Sequence, residues 1–183
     1  MIEFKNVYKA FDEKKVLEDF SLKIGHGERV SVMGPSGSGK TTLGNLLLGT
    51  VLPDSGEVLK KGEISAVFQE DRLCEDFSAL SNVRMVGNRD KAEEILRKLI
   101  NAEDINKPGK TFSGGMKRRV SIARALCYDK PILLLDEPFT GLDDDTKQVA
   151  ARVINEYSLG KTLLLISHDK NEAEMLGAKI INL

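Results

Sequence analysis

The chain contains little cysteine, no tryptophan and no long hydrophobic run. Its 2 cysteines among 183 residues are too few for the disulfide framework of a small secreted domain. The longest apolar runs, 131–135 and 163–166, have the length of strands and fall far short of the roughly 20 residues that span a bilayer. The first residues also lack the charged-then-apolar order of a secretory signal. We therefore expect a soluble, cytoplasmic protein.

An excess of charge of either sign is also absent. The sequence has 27 Lys and Arg against 28 Asp and Glu, which gives a net charge of −1. Proteins that bind nucleic acid electrostatically need a clear basic excess, so we expect no nucleic-acid partner. The 41% of hydrophobic residues is sufficient for a packed core, and the length favours one domain.

The hydrophobic pattern changes twice along the chain. Residues 1–33 alternate at period two, which predicts strands, and 53–56 has the composition of a turn. Between about 78 and 126 the pattern is helical, with one apolar stripe through 92–100. After Pro131, short apolar runs alternate with helices. This alternation predicts an α/β fold with a mainly parallel sheet, to which an antiparallel start and a helical middle are attached.

A glycine-rich segment, 34–41, fits the pattern G-x-x-x-x-G-K-[ST]. Glycines allow successive backbone N–H groups to converge on phosphate oxygens, and a following helix adds its N-terminal partial charge. Lys40 would reach the β- and γ-phosphates, and Thr41 would offer its hydroxyl to Mg²⁺. A strand before the segment and a helix after it favour phosphate binding over a chance Gly/Ser turn. The predicted phosphate-binding residues are Gly34, Pro35, Ser36, Gly37, Ser38, Gly39, Lys40, Thr41 and Thr42.

Two carboxylates follow the apolar run 132–135. Asp136 and Glu137 would lie at the carboxyl end of a buried parallel strand, where open α/β sheets bind ligands. Asp136 could hold Mg²⁺ through water, and Glu137 could polarise an attacking water. The alternative, a strand that simply ends in an acidic loop, is disfavoured by the phosphate-binding pattern earlier in the chain.

Two further polar residues also end predicted strands. The Gln69 amide could reach Mg²⁺ or the attacking water, and His168 could contact a γ-phosphate. A lone histidine after a strand is more often a turn residue or a helix cap, and that interpretation stays open for His168.

A second candidate anion site begins at Ser113. Two glycines, Gly114 and Gly115, follow this serine at the start of a predicted helix, and three basic residues come next, at 117–119. An exposed helix N-terminus with local positive charge attracts anions. By itself the segment could equally be an ordinary loop-to-helix start.

Taken together and in this order, the motifs resemble those of the ATP-binding cassette (ABC) ATPases over nearly the whole chain. The matching segments are 34–42 (Walker A), Gln69 (Q-loop), 112–116 (signature), 132–137 (Walker B), 141–143 (D-loop) and His168 (switch histidine). Phe11 stands where the family stacks an aromatic ring on adenine. The resemblance implies a P-loop core with an N-terminal antiparallel β-subdomain and a helical signature subdomain. Residues 1–183 would form a single nucleotide-binding domain, with the helical subdomain inserted at about 74–128.

The resemblance also implies a function. Such a chain hydrolyses ATP as a subunit of a membrane transporter, bound to integral membrane subunits on the cytoplasmic face. It works as a homodimer or heterodimer that sandwiches two ATP molecules, so that Ser113, Gly114, Gly115 and Asp143 would meet the partner's nucleotide. The segment 67–73 is similar to that of nitrate, sulfonate and taurine importers, which favours import.

The alternative within the family is a non-transport ATPase that acts on nucleic acid or ribosomes. Chromosome-associated members carry a long coiled coil between Walker A and Walker B, and here that interval shows no sustained heptads. Translation-associated members carry tandem cassettes, whereas this sequence holds one. A P-loop kinase of small molecules would leave the Ser113 segment without a role.

Overall fold

A computed structural model describes residues 1–12, 14–35 and 37–183. Its strands are β1 (Ile2–Phe11), β2 (Lys14–Ile24), β3 (Arg29–Met33), β4 (Ser55–Lys60), β5 (Ile64–Val67), β6 (Ile132–Asp136), β7 (Thr162–Ile166) and β8 (Lys179–Asn182). Its α-helices are α1 (Lys40–Leu48), α2 (Ala79–Arg84), α3 (Arg89–Leu99), α4 (Gly114–Tyr128), α5 (Asp144–Tyr157) and α6 (Lys170–Met175).

The larger sheet has five parallel strands in the order β5-β6-β7-β3-β8. Every residue of β6 and β7 is buried, because helices or the second sheet cover both faces; such strands are continuously apolar rather than alternating. The carboxyl ends of all five strands lie at the same edge. The predicted mainly parallel sheet is therefore confirmed, and its edge brings together the segments that follow β3, β5, β6 and β7.

The second sheet is antiparallel, in the order β2-β1-β4. The antiparallel start is confirmed, but the turn predicted at 53–56 overlaps β4, which begins at Ser55. Gly56 has a φ of +83°, and a Cβ atom there would lie 2.2 Å from the Asn6 carbonyl oxygen. Glycine at this position therefore marks the close approach of β1 and β4. The composition of 53–56 suggests a turn and gives no sign of this approach.

The helical middle of the chain packs as one layer against the parallel sheet. The predicted stripe of α3 is buried, with Ile95 and Leu96 fully enclosed, and it joins α2, α4 and one face of β6 and β7 in a single apolar cluster. The other face of the sheet packs against α1 and the antiparallel sheet. Helix α4 of this layer also contacts the polar edge of the sheet, because Arg118 donates to the backbone of Phe68 and Gln69, which follow β5.

Candidate active site

The loop between β3 and α1 is shaped by glycine. Gly39 is the N-cap of α1 with a φ of +99°, and a Cβ atom on it would lie only 2.6 Å from Cγ1 of Val16. A Cβ atom on Gly34 would lie 2.7 Å from Oγ of Ser38. Gly39 is therefore required by its conformation, whereas a side chain at Gly34 would displace Ser38. Ser36 lies outside the described residues.

This loop forms one wall of a cleft of about 340 Å³, which we call the loop cleft. The cleft is lined by Val16, Gly37, Gly39, Lys40, Thr41, Thr42, Gln69, Glu137 and Ile166. Nζ of Lys40 donates to the carbonyl oxygens of Gly34 at 2.7 Å and Pro35 at 2.9 Å, so that its ammonium lies along the loop. The fold thus brings three motifs that are distant in sequence into one cleft.

Asp136 ends β6 and is buried, with 7% of its surface exposed. Burial, together with the negative charge of Glu137, raises the pKa of Asp136 to about 6, against the opposing charges of Arg118 and Lys40. Its Oδ1 atom is buried without a hydrogen-bond partner among the described residues. A buried carboxylate oxygen without a partner costs free energy, which a hard cation would recover.

Glu137 and His168 form a pair across two neighbouring strands. The Glu137 backbone is in the left-handed region, with a φ of +49°, and its N–H donates to the carbonyl oxygen of Ile166 at 2.9 Å. Both carboxylate oxygens of Glu137 lie 3.0 Å from Nδ1 of His168. This hydrogen bond, with the negative charge of Glu137, raises the pKa of His168. Glu137 therefore has a strained backbone conformation, and the exposed imidazole of His168 orients its carboxylate.

The hydrogen bond between Glu137 and His168 predicts how His168 titrates. Its imidazole should titrate above its ordinary pKa of about 6.5, and Glu137→Gln should lower the pKa of His168 towards that value. Because the folded-state pKa is raised, the pair favours the folded protein at low pH, and its contribution is lost as the pH rises through that pKa. NMR titration of the histidine Cε1–H resonances, of which the chain has 2, measures this. An unchanged His168 titration in the variant would contradict the pairing.

Phe11 lies at the end of β1, with 46% of its surface exposed. It pairs with Lys14 of β2, the strand that contributes Val16 to the loop cleft, and Nζ of Lys9 lies 5.3 Å from its ring centroid. Phe11 is outside the set of described residues that line the cleft itself. An exposed ring beside that strand is available for stacking.

The remaining predicted residues form a separate surface, the signature face, defined as Ser113, Gly114, Gly115 and Asp143. Ser113 caps α4 by accepting from the Met116 N–H at 3.2 Å. Asp143 caps α5 by accepting from the Thr146 N–H at 2.8 Å, a bond that lowers its pKa. Among the described residues, none of the four lines the loop cleft. The signature face is therefore an exposed pair of helix starts outside the cleft of its own chain.

Sequence reasoning treated Arg118 only as part of a basic run. In the structure it is 5% exposed, and its guanidinium donates to the carbonyl oxygens of Phe68 at 2.6 Å and Gln69 at 2.5 Å. The sequence contains one signal of this burial. At helical spacing, position 118 shares a face with Ile122 and Ala125, which are both apolar.

Comparison with known proteins gives one consistent family. A family model described as "ABC transporter" matches residues 17–140. The aliphatic sulfonates import ATP-binding protein SsuB 1 of Nocardia farcinica is 37% identical over 98% of this chain and 76% of that protein. The taurine import ATP-binding protein TauB of Roseobacter denitrificans is 36% identical over 93% and 70%. The Nod factor export ATP-binding protein I of Burkholderia lata is 34% identical over 96% and 65%.

Solved structures agree with the sequence relatives. The dimeric structure of MJ0796, a bacterial ABC transporter cassette, superposes with a TM-score of 0.89 at 33% identity, over 100% of this chain and 94% of that one. A post-hydrolysis dimer of the same cassette, bound to ADP and phosphate, gives 0.87 at 32% identity with the same coverage. With the loop cleft and the ordered motifs, these matches lead to one conclusion: the chain belongs to the ABC transporter family, as an ATP-binding and ATP-hydrolysing subunit.

Proposed function

We propose that this ATPase subunit closes around ATP with a second ATPase subunit, most simply another copy of itself. Each nucleotide would lie between the loop cleft of one subunit and the signature face of the other. The observation that carries this proposal is the separation of Ser113 and Asp143 from the cleft that contains Lys40 and Glu137. Two exposed helix starts, one with adjacent positive charge, form a surface suited to a phosphate held by another molecule.

We assign the chemistry of the cleft as follows. Lys40 would supply positive charge to the β- and γ-phosphates, exchanging its two loop carbonyls for phosphate oxygens. Glu137 would polarise the attacking water and accept its proton. His168, hydrogen-bonded to that carboxylate, would orient it and contact the γ-phosphate, while Gln69 would help to position the water.

The residues present also fit Mg²⁺. Oδ1 of Asp136 is buried without a hydrogen-bond partner among the described residues, and Thr41 and Gln69 line the adjoining cleft. Carboxylate, hydroxyl and amide oxygens are the donors that Mg²⁺ takes. When bound, the ion would neutralise charge on the transferred phosphoryl group. Asp136, Thr41 and Gln69 are the residues that we propose hold it.

An apolar groove on the surface supports the proposal that this chain binds a membrane-bound partner. The groove has a volume of about 300 Å³ and lies between the exposed edge of β5 and the helical layer. It is lined by Leu48, Ile64, Ala66, Phe68, Met85, Val86, Arg124, Ala125 and Tyr128. Met85 is 52% exposed and Tyr128 38% exposed. We propose that an integral membrane subunit inserts here, which would hold the chain at the cytoplasmic face of the membrane.

Within the described residues, every helix is too short or too polar to cross a bilayer. We further propose that residues 1–183 form one nucleotide-binding domain, with the helical subdomain at about 74–128.

Import is the proposed direction, supported by the import names of relatives at 36–37% identity. A sulfonate is the corresponding solute class.

Ser113→Arg tests the trans arrangement. We expect the isolated chain to bind ATP as the wild type does, since Ser113 lies outside its own cleft, but its hydrolysis to fall by at least about 10-fold because a bulky side chain obstructs the closed pair. Titration of a fluorescent ATP analogue and phosphate release measure the two properties. Ser78→Arg is the matched control, since Ser78 caps α2 in the same way, by accepting from Ser81, and loss of a cap costs about 0.5–2 kcal/mol.

Loss of nucleotide binding by the isolated Ser113→Arg chain would place Ser113 on its own nucleotide and contradict the proposal. Hydrolysis at the wild-type rate would do the same.

A further inference from the structure

Arg118 is a deeply buried charged group that links the helical layer to the residues at the sheet edge. Its side chain is 6% exposed, and Nε lies 3.3 Å from Oδ1 of Asp71, in addition to the two donations to Phe68 and Gln69. A buried guanidinium destabilises a protein unless it is paired and hydrogen-bonded. Here its partners all belong to one short segment, 68–71, which follows β5.

The same segment has little support from the sheet. The ladder between β5 and β6 ends at the pair Val67 and Leu135, one residue before Phe68. Beyond that point, side chains of α4 provide the bonds. Oγ of Ser121 donates to the Asp71 carbonyl oxygen at 2.8 Å.

Arg124 completes this attachment from the next turn of α4. It donates to the carbonyl oxygens of Asp71 at 2.9 Å and Arg72 at 2.7 Å. Arg118, Ser121 and Arg124 thus hold 68–72 from one face of a single helix. Of these three side chains, Arg118 is the one that donates a hydrogen bond to Gln69.

Helix α4 is also the helix that Ser113 caps. A continuous series of contacts therefore runs from the signature face, through α4 and Arg118, to the backbone of Gln69 in the loop cleft. The positive charge of Arg118 also acts on Asp136, where it opposes the rise in the pKa of that carboxyl.

We propose that Arg118 is a positioning residue for Gln69, fastening it to α4 so that Gln69 and the Ser113 helix start move as one unit. This proposal rests on the proposed role of Gln69 in hydrolysis. When the signature face meets the partner's nucleotide, the movement of α4 would carry Gln69 into or out of register with the attacking water.

A double-mutant cycle tests this connection. We expect Arg118→Met and Gln69→Ala each to lower kcat by about 10-fold, since small misplacements of a catalytic group cost this much or more. The ATP KM should change by less than about 2-fold, and the double variant should be no slower than either single variant, because residues that act as a unit are not additive. Arg118→Lys, which keeps the charge, should restore part of kcat.

Arg29→Met is the matched control, because Arg29 also donates to backbone carbonyls, those of Leu176 and Ser158, without touching 68–72. It should lose thermal stability but keep kcat. If Arg118→Met does not fold, the same cycle is measured with Arg118→Lys.

The positioning role would be overturned if the kcat losses of the two single variants multiplied in the double variant, or if Arg118→Met kept the wild-type kcat. Either result would leave the proposed function intact. An unchanged kcat for Gln69→Ala alone would remove Gln69 from the proposed mechanism, and the positioning role would fall with it.

Discussion

Replacing Glu137 by glutamine is expected to lower the rate of ATP hydrolysis by about 10²–10⁴-fold, the usual contribution of a general base. Glutamine has nearly the same shape, so the loop cleft and its affinity for ATP should be preserved. The lost property is the ability to accept a proton from water. Phosphate release under saturating Mg·ATP measures the rate, and Glu63→Gln, at the opposite end of the sheet beside Lys130, is the matched control.

The same variant should accumulate as a pair. With hydrolysis blocked, the γ-phosphate that both subunits are proposed to hold is not removed, so light scattering with ATP should report twice the 20.2 kDa chain mass. Without nucleotide, the single-chain mass should return. Wild-type turnover by Glu137→Gln would show that another group activates the water.

Asp136→Asn should have two opposite effects, a more stable protein and the loss of Mg²⁺-dependent hydrolysis. The pKa of about 6 for Asp136 lies above the ordinary value of about 3.9, and each unit corresponds to about 1.4 kcal/mol. The folded state therefore binds this proton more tightly than the unfolded state, and ionisation destabilises the fold. Asparagine resembles the protonated form, so we expect a gain of about 1–3 kcal/mol in unfolding free energy at pH 7.5.

The predicted gain in unfolding free energy of Asp136→Asn depends on pH. The gain should be full above about pH 6 and vanish below about pH 4, where the wild-type carboxyl is protonated in both states. Urea unfolding at several pH values measures it. Asp129→Asn is the control of opposite sign, because hydrogen bonds from Lys161 and Lys91 lower the pKa of Asp129. A destabilised Asp136→Asn protein at pH 7.5 would contradict the assignment of Asp136 as a buried carboxylate whose ionisation destabilises the fold.

Much of the fold was predictable because local and tertiary signals agree. Strands β6 and β7 consist mostly of leucine and isoleucine in short runs, which is typical of strands buried on both faces. Helix α1 follows the glycine-rich segment, as predicted, and lies between Gly39 and Gly49, both in the left-handed conformation. Strand β4 was missed because the spatial reason for Gly56, contact with the Asn6 carbonyl, lies 50 residues away in sequence.

The site was predictable where topology decides, but not where side-chain packing decides. Parallel strands place the segments after β3, β5 and β6 at one edge, so the meeting of Lys40, Gln69 and Glu137 follows from the order of elements. The contact between Glu137 and His168 depends on strand register and on a left-handed backbone, which no local pattern encodes. The burial of Arg118 depends on an acceptor set supplied by a distant loop.

The most direct test of the shared site is the specific ATPase activity of the purified chain across a wide range of protein concentration, with mass followed by light scattering in the same samples. We expect activity per chain to rise with concentration and to level off as the paired species becomes dominant. Constant activity per chain in a particle that stays at 20.2 kDa throughout would mean that one subunit completes the site alone, and would contradict the account.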